Sequence, residues 1–565
     1  MKKIYLTLTL ASLSFGAFAQ SAIDAYRFSQ PDLRGTARFM GMAGAFGALG
    51  GDLSTLSQNP AGIGVYRSNE IGFTLDLDMQ NSSATAQGLK STDSRTKFYL
   101  DNIGGVATLR LNSTAMPNLN IGFTYNKGVS FNRRYKGNIP QLANSMSNYM
   151  AALANNEGLT VADVSTIVDN NNNIIYDPYN PNDGGIQAPW LDILGYDSYL
   201  INPNGNPDNP SWTGQYGSGT TGSAMFDVTE SGSVDEYNIA IGGNIANTVF
   251  WGMNFDIVNF NYNLNANYGE NLSNAYVYNP NSNSVEQTAS QWGMRNLYSA
   301  NGQGFNYQLG LIFKPVQELR FGIAFHTPTY YNLTETYSAN TGAQYYGQNI
   351  SASTNNGYPG SQSYNFQSPW KVIASVAGVI GSKFIISADY EWNGYKTMKF
   401  SEPNNYGVGG DWGWDYGWDL YSASPKALYN TDPYAYTNQD IKDIYKSSNS
   451  LRIGAEYRVT PSFSVRAGYS FVSSPVEAKA KNNDMTIYTA GTMPNYRLDD
   501  TTNYITAGLG YRKNGFYVDL AYVYKHMNSE YHAFTPDPSE PNIPSPQAKL
   551  AFSNSRIVLS AGFKF

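Results

Sequence analysis

Ile71-Gly72-Phe73-Thr74-Leu75-Asp76-Leu77-Asp78-Met79 alternates apolar and polar residues without a break. Successive side chains of an extended strand point to opposite faces, so the five apolar residues share one face and Gly72, Thr74, Asp76 and Asp78 share the other. One face suits lipid and the other suits water. The pattern returns in Leu119, Ile121, Phe123 and Tyr125 set against Asn120, Gly122, Thr124 and Asn126. It returns again in Leu451, Ile453, Ala455, Tyr457 and Val459 set against Arg452, Gly454, Glu456 and Arg458. A soluble β-sandwich also carries one polar face, so alternation by itself leaves both architectures open.

The connections decide between them. About fourteen strand-like segments can be marked, near 71–79, 102–111, 119–131, 235–247, 249–267, 304–314, 319–337, 368–379, 383–399, 449–459, 462–473, 502–512, 515–528 and 555–565. A long polar or aromatic connection follows each odd strand. A turn of a few residues follows each even one, as in Pro315-Val316-Gln317-Glu318, Val459-Thr460-Pro461-Ser462 and Lys513-Asn514-Gly515. Bacterial outer-membrane barrels have an even strand number, short periplasmic turns and long extracellular loops, whereas a sandwich has no reason to sort its loops this way. The expected fold is therefore an all-β transmembrane barrel of about 14 antiparallel strands, with both termini on the periplasmic side. The last segment fits, because Ile557, Leu559, Ala561, Phe563 and Phe565 share one face and the chain ends on an aromatic strand residue. Such an ending looks like the signal read by barrel-assembly machinery, an expected partner during biogenesis.

Met1-Lys2-Lys3, the apolar run Ile4 to Leu13 and Ala17-Phe18-Ala19 before Gln20 read as a cleaved secretory signal peptide over residues 1–19. Beyond it no apolar stretch is long enough for a transmembrane helix, and a chain that spans a bilayer without helices must close as a barrel. The 45 Tyr and 54 Gly, with 14% charged residues, suit aromatic girdles around a wet, small-residue interior. The absence of cysteine excludes a disulfide framework and thiolate metal sites. A net charge of -7 gives no basic footprint for nucleic acid.

Two parts exceed a plain barrel. Residues 20–68 hold Gly41-Met42-Ala43-Gly44-Ala45-Phe46-Gly47-Ala48-Leu49-Gly50-Gly51-Asp52 and then Asn59-Pro60-Ala61-Gly62. They are too few for a core of their own and too apolar for disorder, so burial in the lumen as an N-terminal hatch is expected. The barrel proper then covers 69–565, with a long, partly helical extracellular loop at about 132–235. There Leu142, Met146, Met150 and Leu153 fall at helical spacing, with Asn138 as candidate cap and Gly158 as stop. Thr160 caps a second short helix carrying Val161, Val164 and Ile167, and Trp190-Leu191-Asp192-Ile193-Leu194 with Tyr199-Leu200-Ile201 form a third apolar cluster. These faces either pack among the loops as a cap or form a surface groove for an apolar ligand, for which pliable Met is suited.

The N-terminal Ser57-Gln58-Asn59-Pro60-Ala61 resembles the hatch of the outer-membrane long-chain fatty acid and aromatic-hydrocarbon transporter family, the toluene and xylene channel type. The resemblance continues through Leu319-Arg320-Phe321-Gly322-Ile323-Ala324-Phe325-His326-Thr327-Pro328, Ser368-Pro369-Trp370-Lys371-Val372 and Ile386-Ser387-Ala388-Asp389-Tyr390-Glu391. Leu451 to Arg458 and Val465-Arg466-Ala467-Gly468-Tyr469-Ser470 extend it, while the long loops stay unmatched. The resemblance implies a fourteen-stranded barrel with a hatch, an outer hydrophobic groove, a deeper pocket, and release through the hatch or a lateral opening. It implies passive uptake of long-chain fatty acids or aromatic compounds, by a protein embedded among outer-membrane lipids and expected to be a monomer.

The candidate ligand residues are accordingly Leu142, Met146, Met150, Leu153, Trp190, Ile193, Leu194, Arg452 and Arg466, with Asn59, Pro60, Ala61 and Gly62 as the hatch motif. Arg320, Arg452, Arg458 and Arg466 are predicted to point into the lumen together with Asp389 and Glu456. There they either knit the interior or, where an Arg is unpaired, hold a ligand carboxylate by a bidentate contact. The three histidines, His326, His526 and His532, show no pairing with Ser and carboxylate, so no catalytic residue, metal or cofactor is expected. Asp169-Asn170-Asn171-Asn172-Asn173 lacks the Gly and bidentate Glu of a calcium loop and reads as a solvated turn. The aromatic stretch Asp411 to Asp419 reads as belt or lid. Two other functions fit the same features: a haemin receptor using one of the many Tyr, and an adhesion or glycan-binding barrel that transports nothing.

Overall fold

The computed structural model describes residues 20–171, 173–180, 188–279, 282, 284–381, 383–403, 432–489, 492–535 and 544–565. Fourteen antiparallel staves close into a ring. They are β1 (Glu70–Ala86), β2 (Leu89–Arg110), β3 (Asn118–Ser130, resuming as Arg133–Ile139), β4 (Thr221–Ile245), β5 (Val249–Asn279), β6 (Ser284–Val316) and β7 (Leu319–His326, resuming as Tyr330–Tyr345). The ring continues with β8 (Gly360–Gln367, resuming as Trp370–Ile380), β9 (Phe384–Gly394, resuming as Lys399–Ser401), β10 (Ser448–Arg458), β11 (Phe463–Val472), β12 (Tyr496–Lys513), β13 (Phe516–His532) and β14 (Gln547–Lys564). Closure is by β1 on β14, with Ile71 opposite Phe563 and Leu75 opposite Leu559. Asn69 and Phe565 exchange two backbone hydrogen bonds at 2.9 and 3.1 Å, which ties the last residue into the seam. No helix among the described residues is long and apolar enough to cross a membrane.

The even staves end in short turns. At Asn514-Gly515 both residues have positive φ, 50° and 85°, the geometry whose twist matches that of a tight hairpin. The outward face shows where lipid stops. On β5 outward residues are apolar from Val249 to Ile257 and amides from Asn259 to Asn267, while the inward residues stay buried along the whole strand. The staves therefore continue far beyond the apolar band on the long-loop side. They also exceed the segments expected from sequence. The segment marked at 235–247 runs from Thr221 to Ile245, that at 249–267 runs to Asn279, and that at 304–314 begins at Ser284. Apolar alternation located the lipid-facing halves and missed most of the stretches whose outer face meets water.

The expected loop at 132–235 shrinks correspondingly, because β3 reaches Ile139 and β4 begins at Thr221. Asn138 lies inside β3 and caps no helix. Ser145 caps instead, accepting from the Ser147 N–H at 3.1 Å at the start of helix Met146–Asn156, so Leu142 precedes that helix. Gly158 does close the helix, at φ 65°, and Thr160 caps Val161–Val164 through a reciprocal pair with Asp163. Trp190–Asp197 is the third helix. The Asp169 carboxylate accepts the Asn171 and Asn173 N–H groups at 2.8 Å each, which makes the segment a self-satisfied turn, and no cluster of metal-binding side chains occurs among the described residues. The aromatic stretch at 411–419 lies outside the described residues.

Residues 20–68 run inside the ring and leave at its short-turn end, where Arg67 donates to Asn247 at 2.8 Å. Small residues on both sides let two backbones meet. A Cβ on Gly454 would sit 2.5 Å from the Met42 carbonyl oxygen, one on Gly468 2.5 Å from the Met42 carbonyl carbon, and one on Gly242 2.6 Å from Ile63 Cγ2. On Gly252, Gly310 and Gly322 it would overlap Pro60, Asn59 and Gly47. The lumen wall thus carries a collar of glycines at one level, and the plug backbone lies directly against it.

Candidate functional site

The hatch motif works as a local knot. The Asn59 side chain accepts from the Ala61 N–H at 3.1 Å and donates to the Gly47 carbonyl at 2.5 Å, which starts the turn Pro60–Val65 and holds it to the glycine-rich run. His326, buried in the wall as its alternation predicts, places Nε2 2.8 Å from the Gln58 carbonyl. Asp389 accepts the N–H groups of Phe46 and Gly47 at 3.0 and 2.9 Å and the Gln58 amide at 3.0 Å.

Charge pairing fastens the plug further. Arg34 reaches Asp32, Asp76, Asp78 and Asp101 at 2.9, 3.2, 3.1 and 2.6 Å, and Arg556 and Lys525 flank Asp32 at 3.5 and 3.1 Å. Arg466 binds Glu456 and Asp519 at 2.6 Å each, and Arg38 from the plug shares Glu456 at 2.9 Å. Buried charges persist only when compensated like this. Arg466 is therefore committed to the wall-plug joint, and Arg320 likewise donates to the Leu49 carbonyl at 2.7 Å. Arg458, on the predicted lumen side, ends its stave exposed at the short-turn mouth.

Between the plug and the wall lies a polar chamber of about 220 Å³, lined on the plug side by Gln30 to Arg34 with Ser57 and Gln58. Arg452 enters it paired with Glu391 at 2.8 Å, and Asn393 also donates to Glu391 at 2.8 Å. Lys371, opposite His326 on the neighbouring stave, lines the same space with the carboxylates of Glu391 and Glu236 as electrostatic neighbours, and makes no direct ion pair among the described residues. It was legible in sequence as an inward residue between Trp370 and Val372.

Higher still, aromatic rings cross the lumen. Phe28, on the plug helix Ala22–Phe28, packs edge-on against Phe260 of β5 at 4.9 Å and Phe366 of β8 at 5.8 Å. Phe131 meets Phe260 at 5.7 Å, Tyr331 meets Phe260 at 5.8 Å, and Phe400 meets Phe366 at 5.0 Å. One plug ring thus fills the centre of a diaphragm contributed by β3, β5, β7, β8 and β9. None of these residues was predicted, because an inward aromatic above the membrane looks in sequence like any polar-strand residue.

The loop helices sit on that diaphragm. Leu142, Met146, Met150, Trp190, Ile193 and Leu194 are buried in one apolar cluster continuous with the inward aromatics, and Leu153 packs at its edge. The seven predicted residues therefore come together, as a closed bundle. Glu270 of β5 pins it by accepting the Met146 N–H at 2.9 Å and the Ser145 hydroxyl at 2.5 Å. Trp190 leans on Tyr337 at 5.1 Å. Within the bundle Asp192 is fully buried, neither carboxylate oxygen is hydrogen-bonded among the described residues, and burial raises its pKa well above the usual carboxylate range.

A family model described as outer membrane protein transport protein (OMPP1/FadL/TodX) matches residues 214–552. No curated protein sequence matches. Among solved structures, a Pseudomonas aeruginosa FadL homologue aligns at TM-score 0.49 and 12% identity over 95% of this chain and 100% of its own. The P. putida toluene transporter TodX and the Ralstonia pickettii toluene transporter TbuX each align at TM-score 0.43 and 12% identity over 94% of this chain and 99% of theirs. Since the family match takes in more than half of the chain, this protein belongs to the OMPP1/FadL/TodX family of outer membrane transport proteins, and its barrel serves transport of hydrophobic molecules, with no enzymatic role.

Proposed function

We propose that this barrel takes up a small hydrophobic molecule carrying one acidic group, of the long-chain fatty acid kind, through the path bundle, diaphragm, chamber. The observation that carries this reading is the order of chemistries along the lumen. A ligand with an apolar tail and a carboxylate head meets first an apolar bundle built on Met146, Met150, Ile193 and Leu194, then movable rings, then the cations Lys371 and Arg452. Methionine and aromatic side chains repack around an apolar tail at small cost. Lys371, which makes no direct ion pair among the described residues, has an ammonium to offer an arriving carboxylate. The alternative ligand, a neutral aromatic hydrocarbon, uses the first two stages and gains nothing from the third.

The test is uptake by proteoliposomes of a labelled long-chain fatty acid and of toluene, with Lys371→Met and with Leu194→Asp. The proposal expects Lys371→Met to slow the fatty acid alone and Leu194→Asp to slow both. Equal loss for both compounds with Lys371→Met, or no uptake of the fatty acid by the parent protein, would overturn it.

A further inference from the structure

The first residues of the plug meet a carboxylate that has no cation. Gln20, which follows the expected signal peptide, is 4% exposed, and its side-chain amide donates to Glu335 Oε1 at 2.6 Å. Glu335 projects inward from β7 and is fully buried, while its outward neighbours Thr334 and Thr336 are polar, so this part of the stave lies beyond the apolar band. Its other hydrogen bond comes from the Tyr298 hydroxyl of β6 at 3.0 Å. Both donors are neutral, and Glu335 makes no ion pair among the described residues.

A buried carboxylate ordinarily holds its charge through a cation. Elsewhere along the plug Glu456 has Arg38 and Asp101 has Arg34. Around Glu335 the described ionisable groups are Asp24 from the plug helix and Tyr298, Tyr337, Tyr364 and Tyr434 from the wall and loops. Asp24 is itself committed to Arg27. Burial, with the like charge of Asp24 behind it, pushes the Glu335 carboxyl up to about 8. The cluster is one positive charge short.

Processing of the chain creates that charge beside the carboxylate. Hydrolysis of the Ala19–Gln20 peptide bond by a signal protease consumes one water and leaves a carboxylate on Ala19 and an ammonium on the Gln20 nitrogen. This nitrogen belongs to the residue already in contact with Glu335, and once the bond to Ala19 is cut it turns freely about the Gln20 Cα. We infer that the α-ammonium of mature Gln20 is the counter-cation of Glu335, an ion pair created by processing that fastens the top of the plug to β7. Ser21 to Phe28 follow directly and are all buried, with Ser21 capping the helix that ends on Phe28. The pair therefore sets the height at which the Phe28 ring enters the diaphragm. A chain that keeps its signal peptide leaves Glu335 without a cation, so seating of the plug follows cleavage.

The pairing depends on cleavage after Ala19, and mass and reactivity report the two separately. Full-length exported barrel in mild detergent is weighed intact and is expected to begin at Gln20 with a free amine. An amine-reactive ester is then applied over a range of pH, and labelling of the N-terminal peptide is followed by mass spectrometry. A carboxylate partner raises the titration midpoint of the folded amine above its unfolded value, whereas burial without a partner lowers it. The folded parent is expected to titrate above about 8, the ordinary value for an α-amine. Glu335→Gln keeps the shape and removes the charge; it is expected to lower the midpoint and to label about tenfold faster at neutral pH, with heat-modifiable migration on gels unchanged. The parent midpoint needs no variant and decides the case if Glu335→Gln does not fold. A folded midpoint below the unfolded one, or a labelling rate that folded Glu335→Gln leaves unchanged, would overturn the pairing. So would a mature chain that begins elsewhere, or one whose Gln20 has cyclised with loss of ammonia, since neither carries an ammonium at that place.

Discussion

Gly468→Ala adds one methyl group where β11 touches the plug. The new Cβ would lie 2.5 Å from the Met42 carbonyl carbon, 2.6 Å from the Ala43 nitrogen and 2.9 Å from the Ala43 Cβ. Two are backbone atoms and the third is a Cβ fixed to the backbone, so no flexible side-chain end can turn away. Contact distances between carbon atoms begin near 3.5 Å, so the plug has to withdraw by about 1 Å there. Overpacking of this kind costs about 1–3 kcal/mol. The same withdrawal stretches the Ala43 N–H bond to Thr506 Oγ1 at 3.1 Å and the Thr506 hydroxyl bond to the Gly41 carbonyl at 3.0 Å. Each lost bond is worth about 1 kcal/mol, which brings the expected weakening of plug docking to about 3–5 kcal/mol. Since about 1.4 kcal/mol is a factor of ten, the undocked population rises by about two to three and a half orders of magnitude. The chain has no cysteine, so a single Ala45→Cys at a fully buried plug position gives a clean probe. In proteoliposomes a membrane-impermeant maleimide is expected to label it at least a hundredfold faster in the Gly468→Ala background. Gly342→Ala, where the methyl meets nothing within 4 Å, is the control and leaves the rate alone. If Gly468→Ala labels at the parent rate while the barrel stays heat-modifiable, the plug does not rest on the glycine collar and the packing argument is wrong.

Phe28→Ala empties the centre of the diaphragm, and since a Phe→Ala cavity costs about 3–5 kcal/mol the variant is expected to show a lower thermal midpoint than the parent. Arg466→Met leaves Glu456 and Asp519 short of a buried cation and is expected to lower the thermal midpoint further than Arg452→Met, which takes one pair from buried Glu391 and is expected also to lose affinity for a fatty acid in a binding titration. Burial holds the Asp192 carboxyl in its neutral form when folded, while the unfolded chain ionises near pH 4, so the folded loop bundle binds the extra proton. Bundle stability should then fall as pH rises above about 4 and keep falling until the raised folded value is passed; Asp192→Asn is expected to flatten that slope in protease-resistance assays from pH 4 to 8.

Much of this fold was readable because lipid writes a simple code. Ile71 to Met79 and Leu451 to Val459 alternate since one face must be apolar, and every lipid-facing stave was located this way. The stretch after 267, which runs to Asn279, escaped because water imposes no such demand on an outer face, although the inner face of the same stave holds Tyr268, Leu272 and Val277 buried. The helices of the long connection were readable in their apolar periodicity, and the first was misplaced at its start while Thr160 caps the second as expected. The Ser145 cap is itself held by a wall residue, Glu270, more than a hundred positions away, and such a partner leaves no local trace. Arg452 and Arg466 were equally plausible ligand residues in sequence. Only their partners separate them: Arg466 is used twice by buried carboxylates, whereas Arg452 faces the chamber with one.

The same partners indicate which half of the lumen has freedom to rearrange. The lower half joins plug to wall through backbone contacts at Gly454 and Gly468 and through Arg34, Arg38, Arg466 and Asp389, each linked to two or more groups or shared across the joint. Moving the whole plug would break these at once and leave several charges buried without partners, at a cost of about 3–5 kcal/mol for each broken pair. The upper half is held by rings and methionines, whose contacts are individually small and re-formed after a rotamer change. A passage that opens first in the upper half therefore costs far less than one that begins with the hatch. The Phe28 ring, which belongs to the plug yet sits among wall aromatics, is the point where movement of a ligand above reaches the segment below.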